Sequence, residues 1–145
     1  KYITKILWPL LKNYSRIVGQ SKDIAREIRK TNMRGKKWIS MDVCALYPSV
    51  PVNLIIELLC DKMNSNPDFG LNTPFTIMEI KNFLDICLNM GNYFKDCEKI
   101  WKMNNMGPIG CSLMTVGCVC FLQHFEETCL ESSKLVTLGL NELNF

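Results

Sequence analysis

The sequence predicts a mixed α/β (α+β) domain in which helices pack against a small antiparallel sheet. Several segments carry apolar residues at helical spacing, and two short apolar pairs flank a polar turn in the manner of a hairpin. The 145 residues are 48% hydrophobic and 21% charged, which is typical of one globular domain. No apolar run approaches the roughly 20 residues needed to span a bilayer, so we expect a soluble protein with no membrane contact.

The first two helices are predicted in the basic N-terminal third. Apolar residues recur at helical spacing from Ile3 to Leu11, and Pro9 predicts a kink or a division there. Ser21 is a candidate cap for a second helix that Gly35 would end. A surface that faces phosphates and a plainly solvated surface explain this charge equally well. The basic residues are Lys1, Lys5, Lys12, Arg16, Lys22, Arg26, Arg29, Lys30, Arg34, Lys36 and Lys37.

A strand and a helix are predicted next. From Lys37 to Val43 the residues alternate between two sides, which predicts a strand with Asp42 near its end. A helix follows from about Pro51 to Met63, because proline suits the first helical position and the apolar residues fall on one stripe. That stripe consists of Val52, Ile55, Ile56, Leu59, Cys60 and Met63.

The second half of the chain continues the mixed pattern. Thr76 and Glu79 form a candidate capping box, and Gly91 is placed to stop the helix that they begin. Its inward face is predicted to hold Ile77, Ile80, Phe83, Leu84, Cys87 and Leu88. A hairpin is predicted where the pairs Tyr93-Phe94 and Ile100-Trp101 flank a polar segment.

A glycine-bearing turn at residues 106–110 leads into the last predicted helix, from about Ser112 to Glu131. One face of this helix holds Leu113, Val116, Gly117, Cys120, Phe121 and His124. His124 and Glu126 stand two residues apart, so they point to different sides and do not read as an acid–base pair.

The cysteines predict buried thiols rather than disulfides or a zinc site. They are scattered, form no CxxC pair, and His124 is the single histidine. The N-terminal segment does not read as a signal peptide. We therefore expect a reducing intracellular compartment, nucleus or cytoplasm. The eight cysteines are Cys44, Cys60, Cys87, Cys97, Cys111, Cys118, Cys120 and Cys129.

Asp42 is the sharpest candidate for chemistry. It ends a predicted strand on the side opposite the presumed core, and a turn follows, where a carboxylate can reach a bound Mg²⁺. From spacing alone, an aspartate that forms a turn or caps a helix is the commoner explanation. Tyr47 in the same turn has a similar alternative as a packed aromatic residue.

The order of motifs resembles Penelope-like reverse transcriptases. SMDVCALYPSVPVNLIIELL (Ser40 to Leu59) resembles the first catalytic motif of that family, typically SFDVVSLFTNIPV followed by a helix. The segment Met106 to Glu127 resembles the second motif, a QxxGxxMGSPLSP turn that runs into a helix ending in His-Phe-Glu. The resemblance extends over nearly the whole chain, but covers only the middle of the family's polymerase domain.

The resemblance implies a partial reverse transcriptase domain. Residues 1–36 would join fingers to palm, residues 37–63 would hold the first palm motif, and residues 76–131 would hold a helix, the hairpin and the second motif. The family activity is RNA-directed DNA synthesis on an RNA or DNA template–primer with deoxynucleotides. Two Mg²⁺ ions assist this phosphoryl transfer by neutralising charge on the attacking and leaving oxygens.

Site residues follow from the same resemblance. Asp42 would bind the two Mg²⁺ ions, Val43 would offer its carbonyl to one of them, and Tyr47 would lie under the nucleotide sugar. The turn at Gly110 would let the backbone approach the template and the nucleotide. Nucleic-acid contact is assigned to the basic residues before the motif, Arg34, Lys36 and Lys37.

The chain departs from the family pattern in its second and third motifs. The family glutamine falls on Met103, the following glycine on Met106, and the later Ser-Pro on Met114-Thr115. The third motif, Tyr-x-Asp-Asp, is absent, because residues 132–145 contain no aspartate. We therefore expect little or no turnover by this chain. The alternatives are a non-catalytic retroelement remnant that binds nucleic acid or protein, and a plain helical interaction domain.

Overall fold

The computed structural model describes residues 1–11, 21–32, 34, 42–103, 106–108 and 110–130. In this part of the chain, helices combine with one two-stranded antiparallel sheet, which confirms the α+β class. The helices are α1 (Tyr2–Leu11), α2 (Ser21–Lys30), α3 (Leu46–Ser49), α4 (Val52–Asn64), α5 (Ile77–Asp85) and α6 (Ser112–Phe125). The strands are β1 (Tyr93–Asp96) and β2 (Lys99–Lys102). A 3₁₀ turn spans Phe69–Leu71, and π-helical turns extend α5 over Ile86–Met90 and α6 over Glu126–Leu130.

Helix α6 lies at the centre of the core and contacts α1, α3 and α4. Its sequence predicts one apolar face, but the helix is buried almost all round, as expected of a helix surrounded by others. Phe121 and His124, on the predicted face, are half-buried, and Phe121 packs against the core. The buried residues of α6 are Leu113, Met114, Val116, Gly117, Cys118, Val119, Cys120 and Gln123.

Gly117 allows α6 to approach α4 closely. A Cβ atom at this position would lie 2.3 Å from Cγ2 of Ile55 and 3.1 Å from its Cδ1. Ile55 is fully buried on the stripe that the sequence predicts for α4, and its stripe neighbours are buried or, at Cys60, half-buried. The predicted α4 is thus confirmed, with Pro51 as the N-cap residue rather than the first helical residue.

Helix α1 is attached to α6 through a buried amide. Nε2 of Gln123, a residue only 1% exposed, donates a hydrogen bond of 3.1 Å to the carbonyl oxygen of Leu11. That carbonyl belongs to the last residue of α1 and lacks a partner within the helix. Contrary to one predicted outcome, Pro9 does not divide α1, which is continuous and anchored by buried Leu7 and Leu11.

The predicted capping box at the start of α5 is confirmed. The backbone N–H of Glu79 donates to Oγ1 of Thr76, and the Glu79 carboxylate accepts from the Thr76 backbone at 2.8 Å. Ile80, Leu84 and Leu88 are buried as predicted.

The other inward residues predicted for α5 are partly wrong, because Phe83 and Cys87 are exposed. Phe83 packs edge-on against the ring of Phe75 on the flank of the helix. The π-helical turn after Asp85 has more residues per turn than an α-helix. A face predicted from α-helical spacing therefore places Cys87 on the wrong side.

The hairpin is formed as predicted, but the helices do not pack against it. Phe94 pairs with Trp101 and Asp96 with Lys99 in an antiparallel register. All eight strand residues are exposed, so the predicted packing of helices on a sheet is not seen at this hairpin. The described core is instead made by contacts between helices.

Other predictions have mixed outcomes. The strand predicted from Lys37 lies outside the described residues as far as Met41, and its last two residues, Asp42 and Val43, are not in a strand. Gly35 is also outside the described part, and α2 already ends at Lys30. Among the described helices, none is both long and apolar enough to cross a bilayer. Most cysteines are not buried, contrary to expectation, and the exposed ones are Cys44, Cys87, Cys97 and Cys129.

We predict that Gly117→Ala lowers the free energy of unfolding by about 1–3 kcal/mol, because the new methyl group meets Ile55. Ile55→Ala alone should cost about 2–5 kcal/mol. The double variant should lose less stability than the two single variants added together. The reason is that Ile55→Ala removes Cγ2 and Cδ1, the atoms nearest to the new methyl group. Urea unfolding measures these values, with Gly70→Ala as the control because no atom lies within 4 Å there. Additive losses would contradict the close contact.

We predict a pH-dependent contribution from the capping box. Hydrogen bonds from the backbone and side chain of Thr76 hold the pKa of Glu79 below its ordinary value of 4.5. The stabilisation is therefore present above that value and lost as the pH falls through the lower pKa of the folded state. The difference in urea midpoint between wild type and Glu79→Gln should shrink below about pH 4.5. Thr76→Ala should reduce this pH dependence, and an unchanged dependence would contradict the assignment.

Candidate functional site

The candidate site begins at the turn that contains Asp42. Asp42 and Val43 are exposed, and Oδ1 of Asp42 accepts a hydrogen bond of 2.9 Å from the backbone N–H of Val43. Ala45 then adopts the left-handed conformation (φ 51°, ψ 50°), which costs about 1–2 kcal/mol for a residue with a Cβ. This strained turn directs the chain into the short helix α3.

Tyr47 connects α3 to α6. Its ring is half-buried against the core, and its hydroxyl lies 3.3 Å from Oγ1 of Thr115, within hydrogen-bond distance. The two residues are 68 positions apart in the chain. The turn that follows Asp42 is therefore attached to the N-terminal half of α6.

A groove of about 260 Å³ lies between α1 and α6 beside this contact. Its walls are mainly apolar and consist of Thr4, Lys5, Trp8, Ser112, Thr115 and Val116. The hydroxyls of Thr4 and Ser112 lie 3.2 Å apart and join the two helices. Thr115 belongs both to the groove and to the contact with Tyr47. The groove thus offers an aromatic ring and an apolar wall beside an exposed lysine.

Sequence reasoning did not identify the α1 residues of this groove. Thr4 and Trp8 stand one helical turn apart, which is the signal that could have placed them on a common face. Nothing in the sequence indicates that this face meets α6, because the contact joins residues more than a hundred positions apart.

Two glycines shape the turn before α6, for different reasons. Gly110 is exposed and has a φ of +88°, where a side chain is strained, although a Cβ atom there would meet no other atom within 4 Å. At Gly107 a Cβ would lie 1.9 Å from Sδ of Met114, so close packing excludes a side chain there. The positive φ explains why a glycine stands at position 110.

Asn92 fastens the hairpin to the same turn. Its backbone oxygen accepts from the N–H of Met103 at 2.8 Å, and its Nδ2 donates to the carbonyl oxygens of Leu88 and Met106. Asn92 is 4% exposed, and its Oδ1 has no hydrogen-bond partner among the described residues. One buried side chain therefore holds together the end of α5, the base of the hairpin and the start of the turn.

The described residues do not assemble a site for two Mg²⁺ ions. Within them, no group of three or more histidine, cysteine, aspartate or glutamate residues could hold a metal ion. Asp42 supplies one exposed carboxylate and Val43 one neighbouring carbonyl, whereas a two-metal site needs carboxylates from several segments. Of the basic residues assigned to nucleic-acid contact, Arg34 is exposed, while Lys36 and Lys37 lie outside the described residues.

Thiol chemistry is disfavoured in the core. Burial raises the pKa of the Cys118 and Cys120 thiols to about 11 and also raises the pKa of Cys60. These thiols remain protonated near neutral pH, and a protonated thiol is neither a good nucleophile nor a metal ligand. The buried pair at Cys118 and Cys120 agrees with the interpretation of small core residues.

His124 lies at a different place from the candidate site. It lines a cavity of about 580 Å³ near the C-terminal ends of α4 and α6, together with Asp61, Lys62 and Glu127. Glu126 is buried and is not part of the cavity wall. The cavity therefore groups His124 with charged residues that the sequence did not associate with it.

Comparison with known proteins adds no relative. No family model, no curated protein and no solved structure matches this chain. The resemblance to reverse transcriptases therefore rests on the sequence motifs, and the site geometry rests on the contact between Tyr47 and Thr115 and on the conformation of Gly110.

We predict that Tyr47→Phe and Thr115→Val each lower the free energy of unfolding by about 0.5–1.5 kcal/mol, because each removes one partner of the hydrogen bond. The double variant should lose less free energy of unfolding than the two single variants added together. Urea unfolding measures the coupling, and Tyr2→Phe, which alters an exposed tyrosine, is the control. Strictly additive losses would show that the two hydroxyls do not interact.

Proposed function

We propose that this chain is the central part of a reverse transcriptase-like domain whose family activity is RNA-directed DNA synthesis. The observation that carries the proposal is the contact between the hydroxyls of Tyr47 and Thr115. In the resemblance, Tyr47 belongs to the first catalytic motif and Thr115 to the second. A templated polymerase must bring such segments together around one nucleotide, because its catalysis depends largely on positioning.

The groove and the glycine turn support the same proposal. Thr115 lines the groove between α1 and α6, so Tyr47 stands beside a cavity able to hold part of a small ligand. Gly110 is exposed, and a Cβ atom at this position would meet no other atom within 4 Å. In the proposed domain, Tyr47 contacts the nucleotide sugar and the Gly110 turn faces the template and the nucleotide.

Asp42 is the proposed catalytic carboxylate. It is exposed at the end of the turn that leads to Tyr47, where its second oxygen can face solvent and ligands. The Mg²⁺ ions that the family uses would neutralise charge on the reacting phosphate. A single carboxylate cannot hold two such ions at the required geometry, and residues 132–145 contain no aspartate. We therefore propose that residues 1–145 alone do not extend a primer.

A second candidate function is a non-catalytic nucleic-acid-binding remnant of a retroelement. Helix α2 favours it, because four basic residues line a shallow cavity of about 410 Å³ on this one helix: Lys22, Arg26, Arg29 and Lys30. Such a surface binds phosphates without a metal ion, and its affinity falls steeply with salt concentration. Metal-independent, salt-dependent binding without primer extension would distinguish this function from a polymerase.

Primer extension on an RNA template with Mg²⁺ tests the proposal. We expect no extension by residues 1–145, and extension by a longer version completed with a Tyr-x-Asp-Asp segment. Asp42→Ala in the longer version should reduce extension to background, because the carboxylate is lost. Asp68→Ala, which removes another exposed aspartate, is the matched control and should retain activity.

Two results would contradict the proposal. One is primer extension by residues 1–145 that is abolished by Asp42→Ala. This would show that the carboxylates of this chain are sufficient for catalysis. The other is a longer version that does not extend a primer but still binds nucleic acid in a salt-dependent manner, which would favour the non-catalytic remnant.

A further inference from the structure

The hairpin exposes aromatic side chains without a hydrophobic partner surface among the described residues. Tyr93 is 57% exposed, Phe94 52% and Trp101 49%, although aromatic residues of this size usually contribute to a core. An isolated two-stranded hairpin is at best marginally stable in water. Clustered exposed apolar residues on such an element indicate a binding surface.

The strand register divides the hairpin into two faces. Directly paired residues share a face, and successive residues alternate between faces. The tyrosine face, as we name it, therefore consists of Tyr93, Lys95, Ile100 and Lys102. The opposite face, the tryptophan face, consists of Phe94, Asp96, Lys99 and Trp101.

Charge distinguishes the two faces. The tyrosine face carries two lysines and no acidic residue, whereas on the tryptophan face Asp96 stands directly opposite Lys99. Nζ of Lys102 lies over the Tyr93 ring, 5.7 Å from its centre, so one side of this exposed ring carries a cation. The tyrosine face is thus complementary to a partner that presents flat rings and negative charges together.

We propose that the tyrosine face binds single-stranded nucleic acid, with a base stacked on Tyr93 and phosphates contacted by Lys95 and Lys102. Single strands present unpaired bases and phosphates in alternation, and proteins bind them through aromatic platforms within positive surfaces. The choice of nucleic acid as the partner rests on the proposed function. The surface itself is separate from Asp42 and Tyr47.

The hairpin is attached at its base to the turn before α6. Asn92 directly precedes β1, and its side chain donates to the carbonyl oxygen of Met106 at 3.0 Å. Met106 starts the turn that contains Gly110. The hairpin that carries the tyrosine face is therefore attached at its base to the start of the turn proposed to face the template.

Fluorescence anisotropy with labelled oligouridylate and oligothymidylate tests the inference on the full chain. Tyr93→Ala should weaken binding by roughly tenfold, because base stacking on the ring is lost. Phe94→Ala is the matched control, since it removes a similarly exposed ring from the opposite face and should leave affinity nearly unchanged. The hairpin residues are exposed, so these substitutions should leave the helical core intact.

Salt titration tests the phosphate contacts. Lys95→Gln and Lys102→Gln should each reduce the slope of log affinity against log salt concentration by about 0.7, the value for one phosphate of a single strand. Lys99→Gln changes the net charge equally, but on the tryptophan face, and should leave the slope unchanged.

Several outcomes would overturn the inference. These are absence of binding at low salt, equal losses for Tyr93→Ala and Phe94→Ala, and equal slope changes for all three lysines. Self-association that Tyr93→Ala abolishes, seen by sedimentation without nucleic acid, would instead identify a second copy of the chain as the occupant. Binding that depends on the tyrosine face, without primer extension by the longer version, would contradict the proposed function and leave this inference standing. Primer extension, with equal losses of affinity for Tyr93→Ala and Phe94→Ala, would contradict this inference and leave the proposed function standing.

Discussion

The close approach of α4 and α6 at Gly117 is the constraint on which the rest of the structure depends. Ile55 occupies the space that any side chain at position 117 would need, so the two helices meet at short range. This approach fixes where the N-terminal half of α6 stands, and with it the position of Thr115. Protein cores are close-packed, so a shift of one helix is passed to its neighbours. The groove beside α1 and the contact with Tyr47 both depend on this fixed position of α6.

Buried polar contacts join the peripheral segments to that helix core. Gln123 satisfies a terminal carbonyl of α1, and Asn92 satisfies carbonyls at the end of α5 and at the start of the turn before α6. A buried amide is costly unless it is hydrogen-bonded, so each of these residues favours one arrangement of its surroundings. The hydrogen bond between the Tyr47 hydroxyl and Thr115 likewise favours one position of α3 against α6. Of the two turns of the candidate site, the Asp42 turn is held against α6 by Tyr47, and the turn before α6 is held to the base of the hairpin by Asn92.

The hairpin, unlike α4 and α6, has no strand residue in the buried core. All eight strand residues are exposed, and Asn92 together with the strand pairing holds the hairpin in place. Elements with few buried contacts open more easily than the core and commonly carry binding functions. The polymerase proposal and the binding remnant both use such exposed surfaces. They differ in whether Asp42 acts together with further carboxylates, which is a question of chemistry rather than of fold.

The sequence by itself determined α4, the capping box at Thr76 and the hairpin pairing, because these depend on residues that are near neighbours in the chain. It also singled out Asp42, Tyr47 and Gly110 as candidate site residues. Only the tertiary structure decided that α6 is buried almost all round, that the hairpin stands apart from the helices, and that Tyr47 meets Thr115. The physical reason is that periodicity and capping act over a few residues, whereas burial and long-range hydrogen bonds depend on partners brought together only when the chain folds.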